Sequence, residues 1–354
     1  MKILDRYIAL AILNGVLLMT IILGALYAVI IFASESGNIG KADYTLYSAF
    51  EFTILSIPRH VYELFPLTVL LGSIMGLGKL ANTGELMVIR TSGVSLFRII
   101  ISVLRIALGL ILLGMFIGEV VAPPMTKYAQ FKKVQTLSQQ ISLNTDYGLW
   151  ARDSDVYIHI RRVESNGKLT GVELYSFNKN QKLESIISAA SAEYKNKNWE
   201  LSNVVQTEFL NPGLAQKHMS HLLWNSLLKP ELVDIVSIWP EHLSIWKLRD
   251  YISYLQKNDL DSSQYELSFW HKMMMPLTIA TMMLLAIPFV FVSAREGSIG
   301  NRIFVGFLVG LTYYIADQLI GQVSIVYNIP AWFGASIPTM LVLTFGVYNV
   351  LRIR

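Results

Sequence analysis

Between Ile8 and Ala33 the chain carries no charged side chain. That run outlasts the ~7–15-residue apolar core of a signal peptide and exceeds the ~20 residues with which an α-helix crosses the hydrocarbon of a bilayer. No small-residue cleavage site follows a short core, so the segment is expected to persist as a membrane helix, long enough to tilt. Lipid offers no water to backbone N–H and C=O groups, so a segment of this kind must satisfy them internally. Asn14 and Gly15 in its middle read as positions of contact with another helix.

Five further stretches repeat the pattern: Tyr47 to Gly78, Ile99 to Val121, Met273 to Val292, Ile303 to Tyr327 and Ala331 to Val350. Pro58 and Pro66 are expected to kink the second span or to mark a re-entrant start. Pro123-Pro124 is expected to end or kink the third. Asn328-Ile329-Pro330 leaves room for only a tight turn between the last two spans. With 53% hydrophobic and 15% charged residues in 354, the chain is an integral membrane protein. There are no cysteines, which excludes disulfides, thiolate nucleophiles and cysteine-ligated metals. A net charge of +4 in such a chain reports topology and points to no nucleic-acid partner.

From about Met125 to Gln264 the character is that of a soluble domain. A polar, helix-compatible lead-in (KYAQFKKVQTLSQQ) precedes alternating segments at Asp155–Ile160, Gly171–Phe177, Leu183–Ser188, Trp199–Phe209 and Lys217–Trp224. Turn residues separate them, at Ser165–Gly167, Asn178–Asn180, Asn196–Asn198 and Asn211–Gly213. Short alternating strands between such turns predict an all-β sandwich or open barrel. Leu243 to Leu255 has helical spacing and is expected to lead back to the membrane. The expected organisation is residues 1–124 with three spans, 125–267 with the β domain and 268–354 with three more spans.

Basic residues near span ends set orientation. Lys2, Arg6, Lys79, Arg90, Arg98, Arg295, Arg302, Arg352 and Arg354 fall on one side. On the other, the loop after the first span holds Lys41 alone and the last link has no basic residue. Both termini and the 79–98 stretch are therefore expected in the cytoplasm, and the β domain outside. That stretch, KLANTGELMVIRTSGVSLFR, fits a short amphipathic helix opening at Asn82-Thr83-Gly84 and closing at Ser92-Gly93. At a membrane face it is either a surface anchor or a docking element. Its apolar face can pack on its own spans while Glu85 and Arg90 stay free for a partner.

Few constellations carry chemistry. Gly76-Leu77-Gly78-Lys79 resembles part of a phosphate loop, yet Ser73 and Leu80 stand where a Walker motif needs Gly and Ser or Thr. Helix packing explains those glycines better. His60 and Glu63 are three apart but lack the further ligands that zinc requires. Asp317 is the most membrane-embedded acid, either a proton carrier or a structural group bonded to another helix, and no basic partner is evident in the neighbouring spans. Arg59, Lys41, Lys127, Lys132, Lys133 and Lys272 fall near outer span ends. They either snorkel to headgroups or form a collar that receives the phosphates of an anionic amphiphile. No nucleophile elbow or paired catalytic carboxylates stand out.

These residues resemble the YjgP/YjgQ lipopolysaccharide-export permease family over nearly the whole chain. The resemblance is carried by Leu4-Asp5-Arg6-Tyr7-Ile8, Leu55-Ser56-Ile57-Pro58-Arg59, Gly76-Leu77-Gly78 leading to Glu85-Leu86, and Ser92-Gly93. It continues through Ile117-Gly118-Glu119, Val121-Ala122-Pro123, Gly148–Asp153, Asp317-Gln318, Val326-Tyr327 and Ile329-Pro330. It implies an α-helical inner-membrane protein of Gram-negative bacteria, with six transmembrane helices and an inserted periplasmic β-jellyroll. The implied partners are the homologous permease LptF, a dimer of the cytoplasmic ATPase LptB, the periplasmic bridge proteins LptC and LptA, and lipopolysaccharide. The resemblance makes 79–98 a coupling helix, with Glu85, Leu86 and Arg90 toward the ATPase. It puts Arg59 and Lys133 at lipopolysaccharide-contacting basic positions. The first span departs from the pattern: it lacks an outer lysine that relatives can carry, with Ile31 nearby and Lys41 beyond in the loop.

The expected function is therefore a non-catalytic permease subunit of an ABC transporter, with no cofactor in this chain and ATP and Mg on the partner ATPase. Two other classes remain open from sequence: a proton-coupled envelope lipid transporter using Asp317, and a membrane-anchored envelope enzyme or assembly scaffold centred on the β domain.

Overall fold

The computed structural model describes residues 3–137, 149–153, 156–163, 168–178, 182–195, 198–210, 213–224, 240, 243–292 and 299–352. The described helices are α1 (Ile3–Ser36), α2 (Leu46–Asn82), α3 (Glu85–Thr91), α4 (Leu96–Phe116) and α5 (Ala122–Leu137), then α6 (Ile245–Lys257), α7 (Ser263–Val292), α8 (Ile299–Val326) and α9 (Ala331–Arg352). A π turn over Ile117–Val121 joins α4 to α5. Among the described residues six helices are long and apolar enough to cross a membrane: α1, α2, the α4–α5 rod, α7, α8 and α9.

α2 is the most enclosed of the six. Thr45 caps its start, and the capping box is completed by Ser48. Pro58 and Pro66 both lie inside this continuous helix, so the expected re-entrant start is not present. Pro123 and Pro124 do not end the third span either. They occupy the first turn of α5, inside a helical rod that runs on from Leu96 to Lys133. The π turn before them, with Ala122 N–H donating to the Ile117 carbonyl, absorbs the change of register.

Within lipid, helix association depends on close approach more than on water exclusion. α1 and α2 meet at glycines: a methyl at Gly15 would overlap the Gly72 carbonyl, and one at Gly76 the Ala11 carbonyl. Ile8, Ile12 and Val16 of α1 then pack with Phe65, Val69 and Leu77 of α2, with Val103 and Leu110 of α4 and with Ile279 and Met283 of α7. Leu70 and Ile74 continue this core toward Met282 and Leu285 of α7. Leu17, Ile21 and Val29 on α1, and Phe304, Leu308 and Leu319 on α8, face outward, as lipid-contacting side chains do.

Six strands, β1 (Leu149–Asp153), β2 (Val156–Val163), β3 (Leu169–Phe177), β4 (Leu183–Lys195), β5 (Asn198–Leu210) and β6 (Gly213–Trp224), form an antiparallel meander in chain order. The period of two brings one face together: Ile158 pairs with Leu174, Ile160 with Val172, and Ala189 lies between Val172 and Val204. That face is buried against Leu248, Tyr251, Tyr254 and Leu255 of α6, with Trp199 fully enclosed. Among the described residues the strands form one sheet closed by a helix. All five strands foreseen from alternation run past at least one of their expected ends, and β1 is an addition. The turn clusters at 165–167, 179–180, 196–197 and 211–212 lie outside the described residues, as do Lys2, Arg295 and Arg354.

Candidate functional site

Three places gather the residues that sequence singled out. The first is α3, at the end opposite the sheet. Gly84, at φ +75°, turns the chain out of α2, and Gly93, at φ +86°, turns it into α4; a side chain would be strained at either position. Gly84 supplies no side-chain cap. Glu85 in the first turn places a carboxylate where the helix dipole favours one. Its Oε2 accepts from Tyr7 Oη at 2.6 Å and its Oε1 from Thr83 Oγ1 at 2.9 Å. The Tyr7 hydroxyl, then the Thr83 hydroxyl, with the Lys79 charge adding to both, hold this carboxylate below its ordinary range. Glu85 is thus not free, as sequence reasoning had it, but held by its own chain. The Arg90 guanidinium lies 5.8 Å from the Phe291 ring centroid.

Leu86 is buried in the helix core and seats α3, whereas Met87 and Val88 point outward, 73% and 64% exposed. A short helix anchored by one leucine and presenting two bare apolar side chains suits a protein partner better than a passive turn. Sequence reasoning picked Leu86 and missed Met87 and Val88. The signal was the one-position offset between the inner and outer faces of a single helical turn.

Behind α3, Asp5 of α1 is buried and accepts from Ser102 Oγ at 2.7 Å and Arg105 Nη1 at 3.3 Å, with Arg98 Nη2 at 3.9 Å. This ties α1 to α4. Gly76 is explained by its contact with α1, while Gly78 has open space beside it; neither belongs to a strand-and-loop nucleotide site.

The second place is the sheet end of α1, α2 and α5. Lys133 Nζ donates to Glu35 Oε1 at 2.6 Å and lies 4.7 Å from the Phe52 ring centroid. Glu35 also accepts from Tyr44 Oη at 3.0 Å and Asn38 Nδ2 at 3.2 Å. Lys132 pairs with Glu51, Lys41 donates to Asn38 at 3.2 Å, and Lys127 is exposed on α5. Arg59 is elsewhere: it pairs with Glu63 at 2.7 Å. The foreseen collar is therefore split into a lysine group around Glu35 and Glu51 and a separate group with Arg59, and the carboxylates were missed.

The third place is a cavity of about 200 Å³ between α2, the α4–α5 rod, α7, α8 and α9. Arg59, Lys272 and His271 line it with Asp317 and Glu63, above apolar Leu67, Met275 and Met282. Asp317 Oδ2 lies 3.7 Å, beyond hydrogen-bond distance, from His271 Nε2 on the neighbouring span α7, where no basic group was foreseen. Thr278, Tyr313 and Thr339 form a hydroxyl cluster at 3.0–3.4 Å. Among the described residues no three or more His, Asp or Glu side chains gather as a metal site would need. A half-open chamber with ionic groups at one level and methionines below suits an amphiphile.

Six apolar helices among the described residues, a β sheet inserted between the third and fourth, and a short helix at the opposite end define a polytopic membrane protein with an inserted β domain. The family of the lipopolysaccharide export system permeases LptF/LptG matches residues 6–352, and the chain belongs to that family. It is 34% identical over 353 residues to the lipopolysaccharide export system permease protein LptG of Escherichia coli K12, covering 99% of this chain and 98% of that protein. With the LptG protein of Haemophilus influenzae the identity is 35% over 340 residues, 96% of this chain and 95% of that one.

Proposed function

We propose that this chain is the permease subunit of an ABC transporter that extracts lipopolysaccharide from the inner membrane and passes it to a periplasmic bridge toward the outer membrane. ATP hydrolysis, with Mg, takes place on a separate cytoplasmic subunit. The observation that carries this reading is α3, an exposed apolar helix tip on a member of an export-permease family whose chain has no nucleotide loop. A chain without a Walker loop of its own receives its work from another subunit through such a tip.

In this reading both termini and α3 face the cytoplasm and the sheet faces the periplasm, in line with the basic residues near the span ends. The domain limits are residues 1–124, 125–267 and 268–354, with 79–98 as the coupling stretch. The partners are LptF, a dimer of LptB, and LptC and LptA of the bridge. Glu85 and Arg90 frame the ATPase contact, and Leu86 seats it. Arg59, Lys132 and Lys133 take lipid phosphates by exchanging their carboxylate partners, and Lys41 and Lys127 take them from exposed positions. Arg59 does so from the chamber, whose methionines accept acyl chain. The chain itself catalyses nothing.

The test is reconstitution of the purified complex with lipopolysaccharide in liposomes. ATP-dependent release to a soluble acceptor is expected from the wild type and lost with Glu85→Lys. Full release by that variant would remove the assigned coupling contact, and no release by the wild type would remove the reading.

A further inference from the structure

Glu119 stands in the π turn Ile117–Val121, and its two oxygens serve different elements. Oε2 accepts from the backbone N–H of Ile245 at 2.7 Å, and Oε1 from Lys272 Nζ at 2.9 Å. Ile245 opens α6, whose own N-cap residue, Ser244, makes no side-chain capping bond. First-turn N–H groups have no helical acceptor, so a carboxylate 126 positions away supplies the cap. α6 is the helix on which the sheet is packed, through Leu248, Tyr251 and Leu255. Lys272 belongs to α7 and lies 5.2 Å from the Tyr62 ring centroid of α2. The side chains of Glu119 and Lys272 are only 15% and 8% exposed.

One carboxylate therefore joins the rod that begins directly after α3 to the strut beneath the sheet and to the fourth span. The π turn widens the helix locally and re-aims its side chains. Gly118 makes room for this: any side chain there would overlap the Tyr62 ring. We propose that Glu119 is a positioning residue that transmits the setting of the α4–α5 rod to the β sheet through the N-terminus of α6. The inference deepens the permease reading and rests on it for its direction, from ATPase to sheet. Displacement of α3 moves α4, because only the Ser92–Ser95 turn separates them. The carboxylate travels with the rod, and the two positive partners, the helix end and the ammonium, follow it.

The chain has no cysteine, so spin labels placed on the exposed positions Ser36 and Gln216 after substitution to cysteine report the angle between helices and sheet. Two variants break the link from opposite sides. Glu119→Ala removes the acceptor. Ile245→Pro removes the single donor at a helix position where proline is favoured, and Ser244, at φ −67° and ψ 158°, already has the conformation that precedes proline. In the assembled transporter in nanodiscs, both variants are expected to broaden the label-to-label distances. Both are expected to lower lipopolysaccharide released per ATP hydrolysed about tenfold, a coupling loss within the usual range, while hydrolysis itself stays near wild type. Unchanged distances in Ile245→Pro, or release and hydrolysis falling together in either variant, would overturn the proposal. If Glu119→Ala does not assemble, Ile245→Pro decides alone. A wild-type complex that does not release lipopolysaccharide on ATP addition refutes the permease reading instead, and the label distances still judge the link.

Discussion

Tyr7 and Glu85, 78 positions apart, meet at 2.6 Å, so the first membrane helix holds the acidic corner of α3. Two residues further along the chain from that corner, Met87 begins the exposed apolar tip. The same helix α1 grips α4 through Asp5. A push on α3 therefore reaches the first and third spans together.

Removal of the Tyr7 hydroxyl tests that grip. Tyr7 is the largest influence lowering the Glu85 titration, so Tyr7→Phe raises it toward the ordinary carboxylate value of about 4.3. A depressed folded value means that the charged contact is complete above the ordinary range and fades as pH falls through the depressed value. Activity that depends on ionised Glu85 is thus expected to fail at a higher pH in Tyr7→Phe than in the wild type. Parallel acid profiles of ATP-driven release check it, and coincident profiles would contradict it.

Met87 and Val88 are the outward apolar pair, and Leu86 the inward one. Truncating Met87 and Val88 to serine is expected to weaken binding of the ATPase by about 1–3 kcal/mol, in the range of interface anchors. Thermal stability of the lone permease should change little. Leu86→Ser reverses the pattern, lowering stability because it opens the core. Titration of the ATPase onto permease in nanodiscs, beside a melting curve, separates the two.

Gly15, Gly72 and Gly76 allow the backbones of α1 and α2 to touch. The atoms that an added methyl would meet are backbone, which cannot rotate aside. Gly72→Ala is expected to cost about 1–3 kcal/mol by overpacking. Gly109, with open space around it, should tolerate alanine. Melting temperatures in one detergent compare the pair directly.

Lys133 faces a carboxylate that is nearly buried, whereas Lys127 is exposed. Lys133→Met is expected to destabilise by about 1–3 kcal/mol, less than the ~3–5 kcal/mol of a fully buried pair, because Tyr44 and Asn38 still donate to Glu35. Adding Glu35→Gln should recover part of the loss. A double-mutant cycle in melting experiments gives the coupling.

Asp317 and His271 face each other across 3.7 Å inside the chamber. If the pair is structural, Asp317→Asn leaves ATP-driven release intact and its pH profile unchanged. Loss of a pH-dependent limb of transport in that variant would favour proton coupling and weigh against an ATPase as the sole source of work.

The six spans were legible because each carries its own hydrophobicity, and a bilayer imposes length and helicity on each segment separately. The β strands were legible from their period of two, and α3 from Gly84 and Gly93, since each signal is local. At the prolines one alternative fell in each case, since neither pair opens a re-entrant segment or ends its span. Pro58 and Pro66 sit within one helix, and Pro123 and Pro124 fall just after a π turn that no composition announces.

The sequence by itself determined the class of the protein, the inserted sheet, the position of the short helix α3 and, through its motifs, the family. Only the tertiary structure decided how the charges are paired. It gave Glu85 to Tyr7, Glu35 to Lys133, Asp317 to His271, and Glu119 to both Lys272 and the start of α6. Hydrophobic periodicity belongs to a single segment and repeats along it. A pairing between groups 46 to 153 positions apart depends on which helix faces lie together, and that is settled by packing across the bundle.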